Sequence, residues 1–165
     1  MKRWTHAMLV AAMVVGAVTL SGGAVSAEVE HEEQNLRYAE AMWYFVPQLG
    51  RYALEVERTL DAVRVKPELA ATLDDLAKRG EFIVYDLDGT PAPAEMAAAH
   101  DRLTAALRQY MEAAQIGAQD PDGARYLVNT YAPMLQQARG QIRGWLMTRG
   151  TLNEAPAAPV KVAGQ

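Results

Sequence analysis

The chain has 165 residues and a formal net charge of −4, and half of its residues are apolar. Its length predicts one domain, and its composition is too apolar for a disordered chain and too poor in Gly and Pro for a fibrous one. Because it contains no Cys, it cannot form a disulfide scaffold, a thiolate zinc site, an iron–sulfur cluster, a covalently attached c-type haem or a Cys nucleophile.

The first 27 residues have the order of features that is typical of a secretory signal peptide. Lys2 and Arg3 give a positive start, an apolar run follows from Ala7 to Leu20, and small residues stand at Val25 and Ala27. The apolar run corresponds to about 21 Å of helix, which is short against the ~30 Å hydrocarbon core of a membrane. We therefore expect cleavage after Ala27 and export of the remainder. The alternative is an uncleaved anchor that extends through Val25.

Removal of this segment makes the remaining protein more acidic. Lys2 and Arg3 leave while every Asp and Glu stays, so the net charge falls from −4 to −6. An acidic chain lacks the basic stripe that nucleic-acid binding requires, and it has no Lys- or Arg-rich helix for a membrane surface. We therefore predict a secreted or extracytoplasmic protein, in the periplasm or cell envelope, with no nucleic-acid partner and no stable membrane insertion after cleavage.

Residues 28–150 are predicted to form one helical domain. Apolar residues recur at steps of 3 or 4 from Ala39 to Val63, from Met96 to Ala114 with His100 among them, and from Ala124 to Trp145. This spacing suits helices that pack at a shallow angle. A shorter helix is predicted from Pro67 to Lys78, ending before Gly80. The fold class is therefore an all-α, up-and-down helical bundle of three long helices plus one short helix, followed by a disordered tail over residues 151–165.

Two prolines fall inside the predicted helices. Pro47 and Pro133 do not disturb the spacing of the apolar residues around them. Each removes a backbone donor and clashes with the carbonyl four residues earlier, so a straight helix is disfavoured. We expect kinks at both prolines rather than helix ends.

The most distinctive short motif is Ile83-Val84-Tyr85-Asp86-Leu87-Asp88-Gly89-Thr90. It resembles the first motif of the haloacid dehalogenase superfamily, in which an apolar strand is followed by D-x-D-G-T. That resemblance implies a doubly wound parallel sheet and phosphatase activity. It also implies that Asp86 is the phosphorylated nucleophile, that Asp88 is a general acid/base, and that Mg²⁺ binds between them.

The same motif also allows a structural interpretation. No later strand ending in Ser or Thr follows it, and Lys161 is the only lysine after Thr90. We therefore prefer a linker that consists of a short extended stretch, an Asp/Gly turn, and Thr90 as the cap of a helix starting at Pro91. Calcium binding by Asp86 and Asp88 is a further alternative, although the later acidic ligands of an EF-hand loop are missing.

His100 lies among the apolar positions of the second long helix, between Met96 and Leu103. An imidazole inside a bundle that also carries methionines resembles the exported four-helix b-type cytochromes, where Met and His from different helices ligate haem. That resemblance implies a haem- or metal-binding bundle centred on His100. The last helix contains no His, however. We therefore prefer a partly buried His100 with a local hydrogen bond, and we predict no cofactor.

His31 is the remaining candidate metal ligand. Glu28 and His31 have the E-x-x-H spacing of half a di-iron carboxylate site, but the second copy is missing because Ala97 stands three residues before His100. We interpret residues 28–33 as a solvated acidic start to the first helix, whose N-terminal dipole favours acids. No Ser-His-Asp set can be assembled, so no catalytic residue is predicted.

The segment Met42 to Val46 is apolar on every side of a helix. One interpretation is a central helix that contacts two neighbours. The other is an exposed aromatic groove, formed by Trp43, Tyr44, Phe45 and Tyr52, for a partner protein, a peptide or a glycan. Together with the absence of a catalytic set, this segment leads us to expect a non-enzymatic binding or scaffolding module that contacts a protein, a peptide or a second copy of itself.

Overall fold

In a computed structural model, the backbone is described over residues 4–149 and the side chains over residues 30–149. The chain forms α1 (Trp4–Val63), a 3-10 turn (Pro67–Leu69), α2 (Ala70–Asp88), α3 (Ala97–Ile116) and α4 (Pro121–Thr148). No strand occurs within this described part, and the all-α bundle is confirmed. The side chains of the predicted signal peptide and the whole predicted tail lie outside the described residues.

The four helices form an up-and-down ring. Short connections join consecutive helices, and such connections make consecutive helices antiparallel neighbours. Each consecutive pair is in contact, and α4 closes the ring by packing against α1. In the described part, α2 and α4 do not touch and therefore occupy diagonal positions. The most extensive contact joins α3 to α4.

The core follows the predicted spacing in α1 and α3, whereas in α4 Leu135 and Leu146 are buried and the predicted Met134 and Trp145 are only partly buried. Every helix contributes large side chains that are almost completely buried: Tyr38, Met42, Leu49, Leu60, Leu73, Leu87, Leu103, Leu107, Tyr110, Leu135, Ile142 and Leu146. Buried alanines, such as Ala106 and Ala138, lie between them and let the helix axes approach closely. Burial of this apolar surface is the main favourable contribution to folding.

The second helix is longer than predicted. It continues through Gly80 to Asp88, whereas the sequence indicated an end before Gly80. Gly80 is buried, and a Cβ there would collide with the Tyr52 hydroxyl and stand 3.1 Å from Cβ of Met111. The glycine therefore serves close packing inside a helix. Its low helix propensity is overridden by the tertiary contacts of the turns around it.

The predicted linker is also helical. Val84 and Leu87 are buried three positions apart, which is the spacing of a helix face rather than of an extended stretch. The Thr90 hydroxyl donates to the carbonyl of Asp86 at 2.8 Å, so Thr90 belongs to the end of α2 and does not cap the next helix. The residues around Pro91 form the connection to α3, which begins at Ala97.

Both internal prolines lie inside helices, as predicted. Pro47 is in α1 and Pro133 is in α4, and both are exposed. Because proline has no N–H, the carbonyls of Trp43 and Asn129 have no donor from the following helical turn. The helices continue on either side because their apolar faces remain packed in the core.

Candidate functional site

The structure separates the four aromatic residues that were predicted to form a contact surface. Tyr52 is only 2% exposed and belongs to the core, so it is unavailable to a surface groove. Trp43 and Phe45 are partly buried against the core, whereas Tyr44 is 66% exposed. The first helix contacts all three other helices, and the prediction of an exposed aromatic groove that includes Tyr52 is wrong.

A cleft of about 580 Å³ lies between α1 and α4 and opens to solvent on one side. Its volume is in the range of protein ligand sites. The first helix lines it with Trp43, Val46 and Pro47. The fourth helix lines it with Gln136, Arg139, Gly140, Arg143, Leu146 and Met147. The walls are therefore mostly apolar, and the two arginines are the charged residues among them.

Arg139 lies between the two helices. Its guanidinium is next to Gly50 of α1, where an added Cβ would stand 2.8 Å from Cζ of Arg139. The absent side chain of Gly50 therefore provides the space for this guanidinium. Nε of Arg139 is buried and has no hydrogen-bond partner. Burial lowers the pKa of Arg139, and repulsion from Arg143 lowers it further.

The two cleft arginines differ from the arginines that form ion pairs elsewhere on the bundle. Those pairs are Arg37–Glu33, Arg64–Asp122, Arg79–Glu55, Arg108–Asp88, Arg125–Asp61 and Arg149–Glu95. Within residues 30–149, no acidic side chain pairs with Arg139 or Arg143. The sequence carries a signal for this feature, because no Asp or Glu occurs between Asp122 and Glu154 of an otherwise acidic chain.

His100 is buried, and both of its ring nitrogens are engaged. Nε2 lies 3.0 Å from the carbonyl oxygen of Leu87, which can only accept, so Nε2 carries the hydrogen and donates it. In the neutral ring, Nδ1 then accepts from the Tyr38 hydroxyl at 3.3 Å. No ring nitrogen is left free for haem or a metal, so this geometry gives the haem- or metal-binding alternative no support.

The two aspartates of the short motif do not converge. On a helix, Asp86 and Asp88 are about 200° apart around the axis, whereas the dehalogenase motif needs both at the end of a strand. Arg108 holds Asp88 by hydrogen bonds of 2.8 and 2.7 Å to its two carboxylate oxygens. The strand implied by the resemblance is therefore wrong, and the roles carried over to Asp86 and Asp88 lose their structural basis.

The candidate metal ligands also remain apart. His31 is exposed on α1. Among the side chains that the structure describes, no group of three or more His, Asp or Glu residues could hold a metal ion. The side chain of Glu28 lies outside the described residues, so the E-x-x-H pair stays a prediction.

Comparisons of the chain with protein-family models, with curated proteins and with solved structures found no match. Over the described residues, no helix has both the length and the apolar character that crossing a membrane requires. Conclusions about function therefore depend on the chemistry of the cleft between α1 and α4.

Proposed function

We propose that this chain is an exported, non-enzymatic binding module of the cell envelope or extracellular space, and that a protein or peptide partner binds in the cleft. The observation that carries the proposal is the cleft wall, where Trp43, Pro47 and Met147 present apolar surface beside two arginines. Aromatic residues, Met and Arg are enriched in protein interfaces. Export is inferred from the signal-peptide features of residues 1–27.

The ionisable groups of the cleft support binding rather than catalysis. Arginine stays protonated at any physiological pH, so Arg139 and Arg143 are unsuited to general acid–base chemistry. No His, Asp, Glu, Ser or Lys lines the cleft. Fixed positive charges beside apolar walls are suited to recognition of a complementary surface.

Site-specific photo-crosslinking in the producing cells tests the proposal. Gly140 lines the cleft and is exposed, and an added Cβ there meets no atom within 4 Å, so this position is suited to p-benzoylphenylalanine. The matched control carries the same group at Lys78, which is exposed on α2, the helix that does not contact α4. We expect an adduct with a protein or peptide from position 140 and none from position 78. Equal adducts from both positions, or no adduct, would contradict the proposal.

A further inference from the structure

The charge arrangement in the cleft is unfavourable in the unbound chain. Arg139 and Arg143 are four residues apart on α4, and like charges at this spacing repel each other. In the part of the chain that the structure describes, no carboxylate relieves this repulsion, while six arginines elsewhere on the bundle are paired with carboxylates. An anionic group placed beside both guanidinium groups would remove the repulsion.

The buried Nε of Arg139 points to the kind of anion. A buried donor without a partner costs free energy, because its hydrogen bonds to water are lost and not replaced. A carboxylate can accept two parallel hydrogen bonds from one guanidinium, including that of Nε. A rotation of the side chain away from Gly50 and into the cleft would present Nε and a terminal nitrogen to such a group. A carboxylate therefore satisfies a donor that the unbound fold leaves without a partner.

The remaining features of the cleft favour a peptide over other carriers of a carboxylate. The apolar walls beside the two arginines suit the side chains of a peptide, because aromatic residues, Met and Arg are enriched in protein interfaces. The cleft is open on one side, whereas sites for small molecules usually enclose most of the ligand surface. Nucleic acid binding requires a basic stripe that contacts many phosphates, whereas this cleft carries two cationic side chains.

From these contacts we infer, resting on the proposed function, that the cleft between α1 and α4 recognises an acidic peptide segment. The segment presents a carboxylate to Arg139 and Arg143, and apolar side chains next to it pack against Trp43 and Met147. Specificity then comes from the charge pair, and the apolar walls supply most of the buried area.

Binding of three pools of synthetic nonapeptides to the protein as purified from the producing cells tests this inference. All pools have the same content of Leu and Phe. The remaining positions are Asp and Glu in the acidic pool, Lys and Arg in the basic pool, and Gln and Ser in the neutral pool. We expect the acidic pool to bind. Its affinity should fall with added salt, because the interaction between the peptide carboxylate and the two arginines is partly exposed to solvent. Fluorescence anisotropy of labelled peptides measures the affinities.

Charge-removing variants separate the cleft from the rest of the surface. Arg143→Gln is the main variant, because Arg143 is exposed and its loss leaves the core untouched. We expect a loss in affinity of about tenfold, and a larger loss in Arg139→Gln/Arg143→Gln. Arg51→Gln/Arg58→Gln, which removes two exposed arginines that do not line the cleft, should leave affinity unchanged.

Three outcomes overturn the inference. They are binding of the neutral or basic pool as tightly as the acidic pool, an affinity that Arg143→Gln does not change, and no binding of any pool. Sedimentation equilibrium adds a fourth, since a dimer that Gly140→Trp dissociates would make a second copy the occupant. In each case a crosslinked adduct from position 140 would still support the proposed function. Failure of the acidic-peptide inference is therefore distinguishable from failure of the proposed function.

Discussion

Trp145 donates its indole N–H to a carboxylate oxygen of Glu95 at 2.6 Å, which ties α4 to the connection between α2 and α3. Arg149 donates to the same oxygen, and its guanidinium lies 4.6 Å from the centre of the Trp145 ring. The indole also packs edge-on against Tyr38 of α1. This contact fixes the end of α4 that carries Met147, one of the cleft residues.

The Glu95 contact predicts how stability depends on pH. The hydrogen bond from Trp145, followed by the charge of Arg149, lowers the pKa of Glu95 below its ordinary value of 4.5. A carboxyl group with a lowered pKa in the folded state stabilises the fold above its ordinary value, and this stabilisation is lost as the pH falls through the lowered value. We expect wild type to be more stable than Glu95→Gln at neutral pH, and the difference to vanish in acid.

Urea denaturation of wild type and Glu95→Gln, from neutral pH into acid, measures the difference in their free energies of unfolding. Glu112→Gln is the matched control, because Glu112 is exposed on α3 and has no hydrogen bond or ion pair among the described side chains. Trp145→Phe should abolish most of the pH-dependent difference while keeping the ring contact with Tyr38. If the difference in stability between wild type and Glu95→Gln stayed the same in acid, the proposed stabilisation by the Glu95–Trp145 hydrogen bond would be contradicted.

Replacement of Gly80 by alanine should destabilise the protein, although the same substitution at other helix positions is normally stabilising. Alanine in place of a helical glycine typically stabilises a protein by about 0.5–1 kcal/mol. At Gly80, however, the new Cβ would meet Met111 at 3.1 Å and overlap the Tyr52 hydroxyl. We expect Gly80→Ala to lower the free energy of unfolding by about 1–3 kcal/mol, as overpacking does. Chemical denaturation measures the change.

Two further variants control for this effect. Gly144→Ala is the matched substitution, since a Cβ at Gly144 meets no atom within 4 Å, and it should stabilise the protein. Tyr52→Phe removes a buried hydroxyl that has no partner, so it should cost nothing and should restore most of the loss in Gly80→Ala. If Gly80→Ala and Gly144→Ala changed stability equally, the packing argument at Gly80 would fail.

The hydrogen bonds of His100 predict a stability role for this residue. His100→Leu would leave the buried Tyr38 hydroxyl without a partner and would remove one of the hydrogen bonds to the Leu87 carbonyl, which still accepts the N–H of Thr90. An orphaned buried group costs about 1–3 kcal/mol, so we expect a loss of at least this size in the free energy of unfolding. Tyr38→Phe breaks only one of the two bonds and should cost less. Equal losses in both variants, measured by urea denaturation, would contradict the assigned donor and acceptor roles.

Substitution of the two helical prolines should have similar effects on stability and different effects on peptide binding. Pro47→Ala and Pro133→Ala each restore a backbone donor at an exposed helix position, and each should stabilise the fold by about 1–3 kcal/mol. Of the two prolines, only Pro47 lines the cleft. Its replacement by alanine supplies a backbone N–H to the carbonyl of Trp43. We expect Pro47→Ala to weaken binding of the acidic peptide pool while Pro133→Ala leaves it unchanged. Equal effects of the two variants on peptide affinity would contradict this role of Pro47.

The sequence predicted all four helices because their core residues follow the helical period. Leu103, Leu107 and Tyr110 are spaced 4 and 3 apart, and all three are buried. The second helix was predicted too short, because Gly80 and the Asp-Gly pair at Asp88 and Gly89 are local signals for a helix end. In the folded chain, contacts with α1 and α3 outweigh those local preferences.

The residues of the cleft were mostly not predicted. Of the four aromatic residues expected to contact a partner, Trp43 lines the cleft, and Arg139 and Arg143 were not singled out. Periodicity shows which residues of one helix face the core, yet it does not show which distant helix lies opposite. The cleft depends on α1 meeting α4, and Gly50 and Arg139 are brought together only by the tertiary fold.

The extensive contact between α3 and α4 has a consequence for the order of folding. These two helices are joined by residues 117–120 and lie consecutively in the chain, so their hairpin forms with little loss of loop entropy. Local contacts of this kind favour early formation. The cleft joins α1 to α4, which are farther apart in the chain than any other pair of helices in contact. We therefore expect the cleft to form after the hairpin of α3 and α4.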